Sequence, residues 1–179
     1  MANEYLQRGV AYAGSRRTWT YSCWIKKNQS PTSMDYWDWV FNTTGNGGLI
    51  INYDASTYIG QFQFYDPGGS TAIFWKGVLA DTSSWYHICL ACDTNEALPQ
   101  HRLKLYVNGV AMQTSDRHSG ALDWPDRNGR LTYNSSMYPF NIGRWAQGGG
   151  RYFYGAMTDF FWVDGLALPP ETFGFVKEG

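Results

Sequence analysis

From Thr18 to Ile25 the chain alternates, with Trp19, Tyr21, Cys23 and Ile25 on one side and Thr18, Thr20 and Ser22 on the other; only Trp24 breaks the polar side. A period of two is the mark of a β-strand with one face against a core. The pattern recurs along the chain. Trp37–Thr43 is expected to place Trp37, Trp39 and Phe41 on one face, Leu49–Tyr53 to turn Leu49 and Ile51 inward, and Tyr58–Tyr65 to keep Phe62 and Phe64 dry with Gln61 and Gln63 wet. Thr71–Trp75 is the next such run. Tyr86, Ile88, Leu90 and Cys92 then line one face of a strand, and Leu103, Leu105 and Val107 one face of its partner.

Turn-forming groups separate these runs: Asn46-Gly47-Gly48, Asp54-Ala55-Ser56, Asp66-Pro67-Gly68-Gly69, Asp81–Ser84 and Asn108-Gly109. Asn-Gly pairs tolerate the positive φ of tight hairpins, and the longer groups bond to their own backbone. No segment sustains a helical period. The expectation is an all-β chain, a single domain over residues 1–179, built as one antiparallel β-sandwich of jelly-roll type.

Near the C-terminus, Met157, Phe160 and Trp162 share a face only if an extra residue is taken up near Thr158–Asp159, as a β-bulge does. A buried core strand is expected here. Asp164-Gly165 suits a tight turn, and Pro169-Pro170 denies the next segment its ladder hydrogen bonds, so the sheet should end there. Thr114–Asn134 and Ala146–Arg151 are instead rich in Gly, Ser, Asp, Asn and Arg. They read as long loops, the usual place for ligand or subunit contacts.

Composition sharpens this picture. Of 179 residues 44% are hydrophobic and 16% charged, enough for a sizeable core, and Trp 9, Tyr 13 and Phe 10 exceed what an average domain carries. A wide β-core uses aromatics; so does a binding surface. The net charge of -1 and the lack of a basic run remove the long-range attraction that nucleic-acid binding needs. The N-terminal MANEYLQRG has no signal-peptide core, and no run approaches the ~20 apolar residues that span a bilayer, so a chain folded in a cytoplasm is expected. The 3 cysteines are read as buried thiols, because residues 89 and 92, three apart on a strand, face opposite ways.

Three stretches carry a resemblance. YFYGAMTDFFWVDGLALPPETFG (Tyr152–Gly174) is similar to the last strand of the concanavalin A-like lectin/glucanase (laminin-G-like) sandwiches found in virion proteins of marine tailed phages. YLQR followed by SRRTWTYSCWIKK (Ser15–Lys27) resembles that family's first long strand, and WYHICLACD with LKLYVNG (Trp85–Gly109) its central hairpin. The resemblance implies a non-enzymatic virion surface protein, a capsid decoration or tail/fibre accessory component made in the host cytoplasm. Its partners would be other virion proteins, further copies of itself as a homo-oligomer, and a cell-surface glycan. A stand-alone carbohydrate-binding, lectin-like module is the alternative.

Each chemistry known on such folds leaves a trace that can be sought. Glucan hydrolases place two carboxylates about 5–5.5 Å apart across the bond. No Glu-x-Asp-x-Glu strand exists here, Glu4, Glu96, Glu171 and Glu178 lie near ends or in loops, and Asp35 and Asp38 should face opposite ways. His87, His101 and His118 sit in no nucleophile motif, and Gly148-Gly149-Gly150 lacks the lysine and hydroxyl of a phosphate loop. No cofactor is expected. Ca²⁺, often held by loop oxygens in laminin-G-like relatives, has Asp116, Asp123, Asp126 and Asn128 as candidate ligands, although the same residues serve as turn formers. For a sugar, an exposed aromatic face flanked by amide, carboxylate or guanidinium groups is needed. Trp124, Asp126, Arg127, Asn134, Tyr138, Arg144, Trp145 and Arg151 are the candidate ligand or assembly surface, their aromatics alternatively capping the sandwich or meeting another subunit.

Overall fold

The computed structural model describes residues 4–9, 11–28, 37–43, 47–53, 60–66, 68, 71–76, 79, 81–114, 122–146 and 151–174. Its strands are β1 (Leu6–Arg8), β2 (Thr18–Lys27), β3 (Trp37–Asn42), β4 (Gly48–Tyr53), β5 (Gly60–Asp66), β6 (Thr71–Lys76), β7 (Tyr86–Asp93), β8 (Leu103–Val107), β9 (Val110–Ala111), β10 (Phe140–Ile142) and β11 (Gly155–Asp164). They form one six-stranded sheet in the order β1-β10-β3-β4-β5-β6 and one five-stranded sheet in the order β11-β2-β7-β8-β9. Every pair is antiparallel. The all-β sandwich is as the alternating pattern predicts.

The core lies between the sheets. Trp19, Tyr21, Cys23 and Ile25 of β2, with Ile88, Leu90 and Cys92 of β7 and Leu103 and Leu105 of β8, pack against Phe41, Leu49, Ile51, Phe62, Phe64, Ile73 and Trp75 of the other sheet. Each such residue, removed from water, contributes roughly 1.5–3 kcal/mol. Asn108 and Gly109 both take positive φ, 50° and 79°, at the β8–β9 turn, as the Asn-Gly pair predicts.

Four expectations are corrected. First, Trp39 and Phe41 do not share a face: the β3–β4 register slips between them, so Val40 and Phe41 both enter the core. Trp39 turns to the other side and stacks on Trp145 at 6.2 Å. One inserted residue reverses the parity of the positions beyond it. Position 37 contributes no described side chain; of the turn Asn46-Gly47-Gly48 position 46 lies outside the described residues and Gly48 opens β4, and the turn at 54–56 lies outside them altogether.

Second, the polar side of β2 and β5 is not wet. Thr20, Ser22 and Gln63 are all buried. Over β2 the segment after β11 folds back, with Thr20 Oγ1 donating to the Leu166 carbonyl at 2.7 Å and accepting from the Leu168 amide at 2.7 Å. A hydroxyl thus supplies the bonds that the two prolines cannot.

Third, the C-terminal strand is not a core strand but the edge of the five-stranded sheet, so its inner side chains Met157, Phe160 and Trp162 are only partly buried. The bulge is where the pattern puts it, between Thr158 and Phe161, with Asp159 at φ 52°. Fourth, the polar run before β10 is not wholly a surface loop, since Leu131 and Tyr133 reach the core.

Candidate functional site

The edges β1/β10 of one sheet and β11 of the other lie on the same side of the sandwich, where Phe140 meets Trp162 edge-to-face at 4.8 Å. Between them opens a cavity of about 340 Å³ lined by Arg8, Tyr12, Ala13, Gly14, Thr43, Asn134, Ser135, Tyr138, Phe140, Trp162 and Asp164. That volume is at the small end of ligand sites, which run from ~300 to ~1,000 Å³.

The mouth is built by a hydrogen-bonded clamp. Asp164 Oδ1 accepts from the Ser15 amide and from Asn134 Nδ2, both at 2.6 Å. Asn134 Nδ2 also donates to the Ser15 carbonyl at 3.1 Å, and the Asn134 backbone carbonyl accepts from the Gly14 amide at 3.0 Å. Asn134 holds φ 59° to do so, a conformation that asparagine tolerates. Gly14 is needed at the centre of the clamp, since a Cβ there would fall 2.2 Å from Asn134 Nδ2 and 2.4 Å from Asp164 Oδ2.

The segment beneath is pinned just as firmly. Arg16 Nε donates to the Leu131 carbonyl at 2.6 Å, and Asp66 Oδ1 accepts from the Thr132 amide at 2.8 Å and from Thr132 Oγ1. Burial pushes the Asp66 carboxyl up from its usual range. The aromatic and polar groups of the cleft therefore stand on anchored backbone.

Of the eight residues nominated from sequence, Asn134 and Tyr138 line this cleft. Arg144, Trp145 and Arg151 gather elsewhere, after β10. There Arg144 lies over the Tyr5 ring at 3.9 Å, Arg151 over the Trp145 ring at 4.9 Å, and the Arg144 backbone pairs with that of Tyr152. Trp124, Asp126 and Arg127 form a third group. Asp123 pairs with Ala72 of β6, the far edge of the six-stranded sheet; Trp124 packs partly against the core, while Asp126 and Arg127 are exposed.

Of the candidate calcium ligands, Asp123 pairs with Ala72 while Asp126 and Asn128 share one turn. Asp126 to Gly129 is a turn, closed by the Gly129 amide on the Asp126 carbonyl at 2.9 Å, and Asn128 sits at φ 60°. The Asn128 carbonyl accepts from Arg17 Nε at 2.9 Å. Asp116 lies outside the described residues, among which no group of three or more acidic, histidine or cysteine side chains converges.

Two arrangements invite a catalytic reading and resist it. Ser22 Oγ lies 2.8 Å from His87 Nε2, but both residues are buried, and desolvation holds the imidazole below its usual range. His87 is held between Trp24 and Phe173, with no carboxylate to orient it among the described residues. Asp38 forms a buried ion pair with Lys27 and accepts from the Tyr154 amide at 3.1 Å, which withdraws it from solvent chemistry. Asp35 lies outside the described residues.

Sequence reasoning missed most of the cleft. Arg8, Tyr12, Thr43, Ser135 and Trp162 come from five separate segments. None of the five carried a local signal that marks a site; Tyr12, for example, sits among the small and apolar residues Val10, Ala11, Ala13 and Gly14.

Known proteins share this architecture. A family model of the concanavalin A-like lectin/glucanases superfamily matches residues 3–171. Among solved structures, a heptameric SAP-like pentraxin from Limulus polyphemus superposes with a TM-score of 0.62 at 16% identity, over 94% of this chain and 73% of that one. A candidate carbohydrate-binding protein from Bacteroides ovatus gives 0.64 at 24% identity, over 95% of this chain but 43% of that one. The mouse laminin alpha1 domains LG4-5 give 0.50 at 12% identity, over 88% and 38%. No curated protein matches the chain in sequence. These likenesses establish the fold, and this chain spans less than half of two of the three neighbours.

Proposed function

The chain belongs to the concanavalin A-like lectin/glucanases superfamily, and we propose that it is a carbohydrate-binding module without hydrolase activity that takes a short saccharide into the lateral cleft. One observation carries this reading. The cleft joins aromatic rings (Tyr12, Tyr138, Phe140, Trp162) to hydroxyl, amide, carboxylate and guanidinium groups (Thr43, Ser135, Asn134, Asp164, Arg8) on anchored backbone. Rings stack on the apolar face of a sugar, and such polar groups bond its hydroxyls. Among the described residues, Asp164 is the one carboxylate in the lining, and its Oδ1 is committed to the clamp. Glycosidic hydrolysis calls for two. The neighbours' lectin-like character, the Bacteroides ovatus protein above all, supports the same reading.

The test is a panel of neutral and acidic saccharides titrated against the protein, with Tyr12→Ala as the probe of place. Tyr12 is 87% exposed, so its loss should leave stability within about 0.5 kcal/mol. Affinity should fall roughly threefold to tenfold through the lost stacking. Release of reducing ends from any member of the panel would overturn the non-catalytic reading. Binding that ignores Tyr12→Ala would move the site elsewhere.

The finer reading sets this module on the surface of a tailed-phage particle, as a capsid decoration or tail/fibre accessory component held by virion proteins. It is supported by the resemblance of Ser15–Lys27, Trp85–Gly109 and Tyr152–Gly174 to such proteins. The exposed Asp126 and Arg127 and the arginine-capped Trp145 are then contact residues, because guanidinium and indole anchor interfaces well. Sedimentation of the protein with purified particles is its test.

A further inference from the structure

Two lining residues of the cleft hold polar atoms without partners. Thr43 is 3% exposed, and its Oγ1 has no hydrogen-bond partner among the described residues; the same is true of Trp162 Nε1. A buried donor or acceptor left unmade is costly, and where it lines a cavity a bound ligand is one way to satisfy it. Trp162 cannot simply turn away, because its ring is stacked on Trp19 at 4.7 Å and wedged against Phe140. Thr43 comes directly after β3, whose last residue, Asn42, is tied through its side chain to the Gly47 carbonyl and the Ala146 amide. Both groups are thus fixed in place.

We propose that Thr43 Oγ1 and Trp162 Nε1 form the floor of a subsite that reads an uncharged hydroxyl-bearing edge of a neutral saccharide. The proposal rests on the carbohydrate-binding reading above and gives it a ligand class. An indole N–H donates only, and a threonine hydroxyl donates and accepts. A sugar hydroxyl, itself donor and acceptor, satisfies both. A carboxylate in the same position could accept from them, but it would be buried without a cation, which costs more than two neutral donors return. The charged groups of the lining do not change this. Arg8 and Asp164 are exposed at the mouth, of opposite sign, where solvent screens them.

Both floor atoms are shut off from bulk water in this structure. Binding at them therefore requires the side chains packed over them to move.

The experiment uses the full chain, methyl glycosides of glucose, galactose and mannose, the matching uronic acids, and deoxy derivatives of whichever glycoside binds. Binding is followed by the Trp162 indole N–H resonance, assigned by its absence in Trp162→Phe. The expected result is a moving indole resonance, neutral glycosides at least about tenfold tighter than uronic acids, and one deoxy position that loses tenfold or more. Thr43→Val, which removes the hydroxyl at constant shape, should weaken binding by a similar factor with an unchanged denaturation midpoint. If saccharides bind but the uronic acids bind equally well, or Thr43→Val binds like the wild type, the subsite is wrong and the carbohydrate reading stands. Should no saccharide bind at all, both fall and the cavity holds only water.

Discussion

Lys27→Met is expected to lower the unfolding free energy by about 3–5 kcal/mol at mildly acidic pH, where Lys27 carries its charge, because it strands the Asp38 carboxylate inside the sandwich. Lys27 is 1% exposed at the end of β2, and Asp38 is 0% exposed on β3. Their ion pair joins the two sheets, beside Phe153, whose ring lies 5.4 Å from the Lys27 ammonium. Replacing both partners by apolar residues, Lys27→Met with Asp38→Leu, should recover most of the loss, since neither charge then needs solvation. Urea unfolding of the four proteins of the cycle measures this. A Lys27→Met midpoint near that of the wild type would mean that water or another cation serves Asp38.

The same pair gives stability a pH dependence of known sign. Burial pushes the Lys27 ammonium down to about 7, against ~10.4 in an unfolded chain. Between those values the unfolded chain binds the extra proton, so this contribution rises as pH rises and is lost as pH falls toward about 7. The thiols of Cys23, Cys89 and Cys92, pushed up by burial, act in the opposite sense at alkaline pH. They cancel in the difference between wild type and Lys27→Met, which leaves the Lys27–Asp38 pair.

The fold was legible from alternation because a sandwich buries one face of each strand, and that requirement is written at every second position. Even the β11 bulge was readable: Met157, Phe160 and Trp162 can share a face in no other way. The β3 bulge was not, because Trp37, Trp39 and Phe41 satisfy an unbroken period of two, and only the neighbouring strand shows that Val40 is the inserted residue. Burial of the outer faces was hidden for another reason. The cover over Thr20 is a segment some 145 residues away in sequence, carried there by topology. The site shows the same limit more sharply. Exposed aromatics near arginines can be picked out one at a time, yet nothing in the linear order says that Thr43 and Trp162 meet at one cavity while Trp124 and Arg127 lie apart from it.

Tyr133→Ala is expected to cost about 3–5 kcal/mol, as emptying a buried aromatic site does. Its sequence neighbourhood, Arg130 to Tyr138, has the composition of a surface loop. In the structure its ring is 0% exposed and meets Phe64 at 5.0 Å, Phe41 at 5.7 Å and Trp19 at 5.8 Å, while its hydroxyl donates to the Tyr65 carbonyl. Tyr133 thus bridges the two sheets as a core residue supplied by a loop. Tyr133→Phe keeps the ring and removes only that hydrogen bond, so it should cost about 1 kcal/mol. The two variants separate packing from hydrogen bonding. They also bear on the cleft, since Asn134 and Ser135 are the next two residues and the clamp on Asp164 depends on where Tyr133 is seated. Tyr133→Ala should therefore abolish saccharide binding at temperatures where the sandwich is still folded, whereas Tyr133→Phe should leave it intact. A Tyr133→Ala protein with an unchanged urea midpoint would show that the loop rides on the sandwich and does not complete it.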